Sequence, residues 1–339
     1  MKISFVSKIS LFTLLLFCLS TPAARADHPT LGFDPDLAGP IITVSAVPLE
    51  KGRLAFDLRT ELINQKALSD TDLIRFAEAD RDVHSVDWVL SPSLGLAYGA
   101  GGNLTLGLRL PYIYRNAIRE AHHEPGGEPP HVEDLGDAKG FGDLTLFGQY
   151  RFLEPPAAGL HLALLFGVKA PTGRTDIRTP EGERFEAEHQ PGSGSWDPML
   201  GLALTRHFNS LAFDASALYL LATKGTQKTD LGDHLTYNAA LSWRVPELGH
   251  SHRRDGHHSH LGWDLILEAN GEYRQKEEAS GVKNPESGGH ILFLSPGTRL
   301  SAEGGMSAAL SLGIPVWEDL NGKQSEPEYR LLFSVGATF

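Results

Sequence analysis

Along most of the chain apolar and polar residues alternate one for one. In residues 104–115, one face carries Leu104, Leu106, Leu108, Leu110, Tyr112 and Tyr114, and the other carries Thr105, Gly107, Arg109, Pro111, Ile113 and Arg115. A period of two is the signature of a strand, and a run of about twelve residues suits a tilted crossing of a bilayer. Aromatic residues at the end of the apolar face stand where an interfacial girdle would sit.

The same pattern recurs around Leu144–Phe152, Leu235–Arg244 and Leu261–Arg274. Further segments near 53–64, 84–98, 159–170, 197–208, 211–222, 289–300, 305–316 and 328–339 bring the expected number to about twelve strands. The connections alternate in length: 65–83 long and 99–103 short, 116–140 long and 153–158 short, 171–196 long and 209–210 short. Residues 246–260 break the rhythm by being long on the short side. Short periplasmic turns, long outer loops and an even strand count are the habit of bacterial outer-membrane barrels. The predicted fold is therefore all-β, a transmembrane antiparallel β-barrel over 53–339.

Physical chemistry narrows this further. In hydrocarbon every backbone donor and acceptor must pair internally, so a spanning sheet has to close on itself. A soluble β-sandwich would also alternate, but with shorter strands and its apolar face turned inward. The final segment places Tyr329, Leu331, Phe333, Val335, Ala337 and Phe339 on one face and stops on an aromatic. That ending resembles the signal read by the outer-membrane assembly machinery, with Phe339 as its terminal residue.

The start of the chain reads as a secretory signal over 1–26. Lys2 and Lys8 precede the apolar run Leu11–Leu19, and Ala24-Arg25-Ala26 is a small-x-small cleavage site. Cys18 lies in the apolar run with Phe17 before it, which suits a passive place better than lipid attachment. Residues 27–52 then form an N-terminal segment expected in the periplasm or the lumen. Without its signal the chain has no cysteine, which removes disulfides, thiolate metal sites and cysteine nucleophiles. It keeps 27 basic and 42 acidic residues, a net charge of −15, which argues against nucleic acid as a partner.

If the apolar face meets lipid, the polar face lines a lumen. Its candidate lining residues are Arg59, Arg109, Arg115, Asp143, Arg151, His161, Lys169, Asp264, Glu268 and Arg299, with Asp57, Glu61, Asp214 and Glu272 beside them. Two readings stay open. Ion pairs across facing strands would fill and plug a structural barrel, or charged walls would line a path for a small solute.

Two histidine tracts invite a second function class. His250, His252, His257, His258 and His260 crowd one connection, and His122-His123 with Glu124, Glu128, His131 and Glu133 occupy a long outer loop. Imidazole with carboxylate suits zinc, copper or nickel, held loosely in a flexible tract, so a metal-handling outer-membrane protein is the alternative to a channel. No other cofactor is expected. An enzyme is not expected either. Gly192-Ser193-Gly194-Ser195 begins like a nucleophile elbow and breaks at Trp196, and Gly99–Asn103 reads as a hairpin turn.

Several stretches, in order along the chain, resemble a known family. They are Pro48–Gly52, Gly140–Leu146, Gly167–Gly173, Gly192–Asp197 and Ser295-Pro296-Gly297. Together they are similar to the outer-membrane transporters named after the MetA pathway of phenol degradation. The resemblance implies a barrel that moves small, often hydrophobic or aromatic, compounds, with no catalytic residues to carry over. The His-rich connection at 246–260 departs from the short turn expected there.

Overall fold

The structure, a computed structural model, describes residues 39–81, 83–122, 129–155, 159–246, 261–302 and 305–339. The expected signal at 1–26 and the 250–260 histidine tract lie outside them. Twelve antiparallel strands close into a barrel. They are β1 (Leu54–Lys66), β2 (Trp88–Gly101), β3 (Leu104–His122), β4 (Leu144–Leu153), β5 (Leu160–Ala170) and β6 (Asp197–Phe208), then β7 (Leu211–Leu220), β8 (His234–Arg244), β9 (Leu261–Arg274), β10 (Gly289–Ala302), β11 (Met306–Leu320) and β12 (Glu326–Thr338). Each strand pairs with its neighbours in sequence, and β12 returns to β1 in a ladder running from Ala55↔Thr338 to Lys66↔Glu326. Phe339 completes the seam: its N–H donates to the Leu54 carbonyl at 2.8 Å, and its carbonyl accepts from the Leu54 N–H at 3.1 Å.

The polarity is inside out. Leu200, Leu202 and Leu261 face outward at about 60 % exposure, whereas Arg109, Asp214, Asp264, Glu268 and Asn270 face inward and are wholly buried. An apolar belt of this extent would be unstable in water and is the lipid-facing surface. Tyr98, Tyr150, Phe152, Phe208, Trp243 and Trp263 cluster toward the short-turn end of the outer surface. Phe141, Trp196, Tyr219 and Tyr273 mark the opposite end. These are the two girdles.

Several connections hold more structure than alternation predicts, including a small sheet of Thr229–Asp230, Glu278–Ala279 and Val282–Lys283. The expected loop 116–140 is instead a tall hairpin. β3 runs on to His122 and pairs with a strand at His131–Phe141, from Tyr112↔Phe141 to His122↔His131. Ala117 adopts a positive φ of 51° at a bulge, which turns Ile118 inward and so lets the extension continue beyond the wall. Gly142 and Asp143 interrupt the strand before it resumes as β4. Between β1 and β2, helix α1 (Asp70–Ala77) starts at Ser69, whose side chain accepts from the Asp72 N–H. Leu73 and Phe76 of α1 bury with Val83 of the same connection against Ala121 and Val132 of the hairpin. Period-two reasoning cannot see a two-turn helix, and it reads a bulged strand as its end.

Candidate functional site

The site is the lumen, and the first thing in it is the chain itself. An exposed turn at 50–52 leads into β1, and before it residues 39–49 run through the interior. Ile41, Ile42, Thr43, Ala46 and Leu49 are buried there. A segment that pairs with no strand must still satisfy its backbone groups, and the wall supplies the partners. The Glu268 carboxylate on β9 accepts from the N–H groups of Ile42 at 3.0 Å and Thr43 at 2.9 Å. Ser216 on β7 accepts from Val44 at 3.1 Å, Thr205 on β6 from Ala46 at 2.7 Å, and Thr105 on β3 from Leu49 at 2.8 Å. The carbonyls are met as well: Arg59 donates to Ile41 at 3.3 Å, Gln149 to Ser45 at 2.9 Å, and Arg299 to Pro40. Wall residues on seven strands thus pin the segment from several sides.

Most other lumen charges are matched by charges elsewhere on the wall, some from strands that are not neighbours. Asp57 takes Arg109 at 3.0 Å, and Arg109 also donates to Ser93 at 2.9 Å. Arg244 pairs with Asp264, and Arg330 with Glu272, with Glu61 3.8 Å away. Toward the short turns Arg151 bonds Asn103 at 2.9 Å and Glu154 at 2.7 Å, with the His161 ring nitrogen at 3.3 Å. Toward the outer end Arg115 donates to the carbonyls of His189 and Gln190.

Three of the five family-like stretches, Gly140–Leu146, Gly167–Gly173 and Gly192–Asp197, converge on one knot below the outer mouth. Asp143, at the strand interruption, accepts from the Gly173 N–H at 2.9 Å and from the N–H of Ser193 at 2.8 Å and its hydroxyl at 2.6 Å. Lys169 bridges Asp197 at 2.7 Å and Asp143 at 3.9 Å. Ser195 donates to Ser193 at 2.8 Å and to Asp197 at 3.1 Å. Gly173 and Gly192 touch backbone to backbone; a Cβ on Gly173 would stand 2.7 Å from the Gly192 Cα. Both ends of the 171–196 connection are thereby tied to the wall. The serines that begin like an elbow are consumed in this knot.

The residues named from alternation are buried or half-buried, and the structure divides them by role. Arg59, Glu268 and Arg299 hold the N-terminal segment, Arg109 and Asp264 pair along the wall, and Asp143 and Lys169 build the knot. Arg151 and His161 lie near the short turns and Arg115 near the mouth. Alternation missed Thr105, Thr205 and Ser216, since a small hydroxyl on a polar face announces nothing. It could have found Arg330, which lies opposite the Leu331 and Phe333 face of the last strand. In the hairpin, Nε2 of His122 stands 3.0 Å from Glu133.

The matching family model is described as "Putative MetA-pathway of phenol degradation" and covers residues 97–319. Among solved structures, an outer membrane channel from Pseudomonas putida F1 aligns over 87 % of this chain and 98 % of its own, at 15 % identity and a TM-score of 0.54. The β domain of a Bordetella autotransporter aligns over 85 % and 100 %, at 12 % identity and a TM-score of 0.44. The P. putida toluene transporter TodX aligns over 92 % and 99 %, at 10 % identity and a TM-score of 0.43. Among curated proteins none matches. The fold is that of the outer-membrane barrels.

Proposed function

This chain belongs to the family of the MetA pathway of phenol degradation, and from that premise we propose that it is an outer-membrane channel for small apolar solutes, aromatic ones foremost. The observation that carries the reading is the lumenal segment. Residues 39–49 are held by separate side-chain-to-backbone bonds, each worth roughly 0.5–1.5 kcal/mol, and can exchange partners without dismantling the barrel. Along one flank the segment leaves a mostly apolar cavity between Val44, Val47 and Leu49 on its own side and Phe147, Leu165, Met199 and Leu218 on the wall, with Thr105 and Gln149 at its edge. At about 30 Å³ it is too small for a ring as it stands and would admit one only as the segment shifts, and its mostly apolar walls would favour that ring over a sugar or an ion. The segment is the constriction, and the wall that pins it is the path.

Deleting residues 39–48 tests this. Purified protein in planar bilayers should pass a several-fold larger current than the wild type, and proteoliposomes should admit phenol faster than a polar solute of equal size. A deleted variant that inserts yet stays at background in both assays would make the protein a plugged structural barrel.

A further inference from the structure

The outer mouth holds a group of side chains that the lumen reading leaves unused. His84 comes from the β1–β2 connection, where it pairs with Glu120 of the hairpin extension, and Glu188 and His189 come from the β5–β6 connection. His84 and His189 are both buried. Nδ1 of His84 lies 3.5 Å from Oε1 of Glu188, and Nε2 of His189 lies 3.3 Å from the same oxygen. All three potential ligand atoms fall within 4.8 Å of one another. Ligand atoms about 2.0–2.1 Å from a tetrahedral zinc lie roughly 3.3 Å apart, so small side-chain movements would seat an ion.

We infer that His84, Glu188 and His189 form a binding site for a divalent first-row transition metal ion at the extracellular mouth. Two imidazoles and a carboxylate are the donor set of zinc, copper and nickel, and a poor one for calcium or magnesium. A second observation points the same way. Nε2 of His84, the nitrogen turned away from Glu188, sits 3.3 Å from Glu120. A carboxylate on the far side of the ring stands within reach of an Nε2–H, a bond that would leave Nδ1 for a metal, the arrangement that metal-bound histidines show in general. Arg115 donates to the carbonyls of His189 and Gln190 and so holds the loop that carries two of the ligands.

The surroundings favour cations. His84 and His189 border a cavity of about 880 Å³, and its wall sets Glu120, Glu133, Glu181, Glu183 and Glu186 against Arg184 alone among the described residues. A cleft lined by one sign of charge concentrates the opposite ion at its floor. From this cavity, which both histidines border, water or a ligand atom could complete the set.

The test uses tag-free, detergent-folded protein in which His250→Asn, His252→Asn, His257→Asn, His258→Asn and His260→Asn remove the other histidine tract. Titration with zinc should give one site per barrel. His84→Ala with His189→Ala should abolish it, and Glu120→Gln, a positioning change, should weaken it about 10–100-fold. X-ray absorption of the zinc-loaded protein without the mouth substitutions should show two imidazoles on the metal, a readout that does not depend on the mouth variants folding. Stoichiometric zinc bound with no imidazole or more than two would overturn the inference. So would loss of all binding on removing the 250–260 histidines, or undiminished binding in the double alanine variant.

Discussion

Midway along the lumen Asp57 meets Arg109 at 3.0 Å with both side chains out of solvent, and Glu268 is met by the backbone of the chain's own N-terminal segment. At the outer mouth, Glu120, Glu133, Glu181, Glu183 and Glu186 surround an open cavity with one arginine on its wall. The same residue types are used in opposite ways. In the middle these charges are answered from within the chain, by opposite charges, hydroxyls or backbone groups, as buried charges must be. The mouth is finished only by what arrives from outside. Burial explains the contrast, because a charge in a dry, narrow lumen needs a partner supplied by the chain, while a solvated one can wait for an ion.

Breaking a matched pair should show this most strongly. Asp57→Ala leaves the Arg109 guanidinium buried against Ser93, and the expected loss is about 3–5 kcal/mol in urea unfolding of the lipid-inserted barrel. Replacing both partners, Asp57→Leu with Arg109→Met, should recover most of that loss, since two apolar groups leave no uncompensated charge. Glu183→Ala at the mouth should stay within about 0.5 kcal/mol. An Asp57→Ala penalty no larger than that at Glu183 would erase the distinction between the regions.

A smaller effect should follow from weakening the hold on the N-terminal segment. Glu268→Gln keeps the shape of the side chain and replaces charge-assisted hydrogen bonds to Ile42 and Thr43 with neutral ones, a change of about 1–2 kcal/mol. Hydrogen exchange at those two amides should accelerate while exchange in β9 and β10 stays as it was. Protection at Ile42 and Thr43 that survives the substitution would mean that packing of Ile41 and Ile42 against Ile266, Ala309 and Leu332, and not the carboxylate, holds the segment.

How far the sequence could reach follows from the same division. Alternation locates the twelve wall strands and the face each lumen charge occupies, because in a barrel the side of the sheet decides burial. It could not show that Glu268 and Arg299 would grip Pro40–Thr43, since those bonds join residues more than two hundred apart through a segment with no period of its own. Nor could it join His84 to His189, which lie in separate connections that the bulged hairpin and the knot at Asp143 bring together. The resemblance picked out Gly140–Leu146, Gly167–Gly173 and Gly192–Asp197 as separate motifs, and in space they are one structure. Asp143 accepts from two of them, and Gly173 and Gly192 touch. What the motifs build here is a tie between a loop and the wall.

The smallest effect concerns an ion pair at the mouth that the chain does complete. Arg81, in the β1–β2 connection, donates to Glu286, in the β9–β10 connection, at 2.8 Å, and the Lys323 N–H reaches the same carboxylate. Burial pushes the Glu286 carboxyl up, but the Arg81 hydrogen bond and the Lys323 N–H outweigh it and hold the group below its ordinary value. A carboxyl depressed in the folded state adds stability that is complete above its unfolded pKa of about 4.3, and that is lost as pH falls through the lower folded value. The Arg81 side chain is one-third exposed, so screening keeps the contribution under about 1 kcal/mol. Exchange of amides in 83–87 and 275–288 should therefore speed up below about pH 4 in the wild type, beyond the intrinsic change with pH. In Glu286→Gln the extra acceleration should vanish and protection should already be reduced at neutral pH. If the two proteins instead track each other through the acid range, the pair contributes nothing, and the mouth is as dependent on outside ions here as it is around His84.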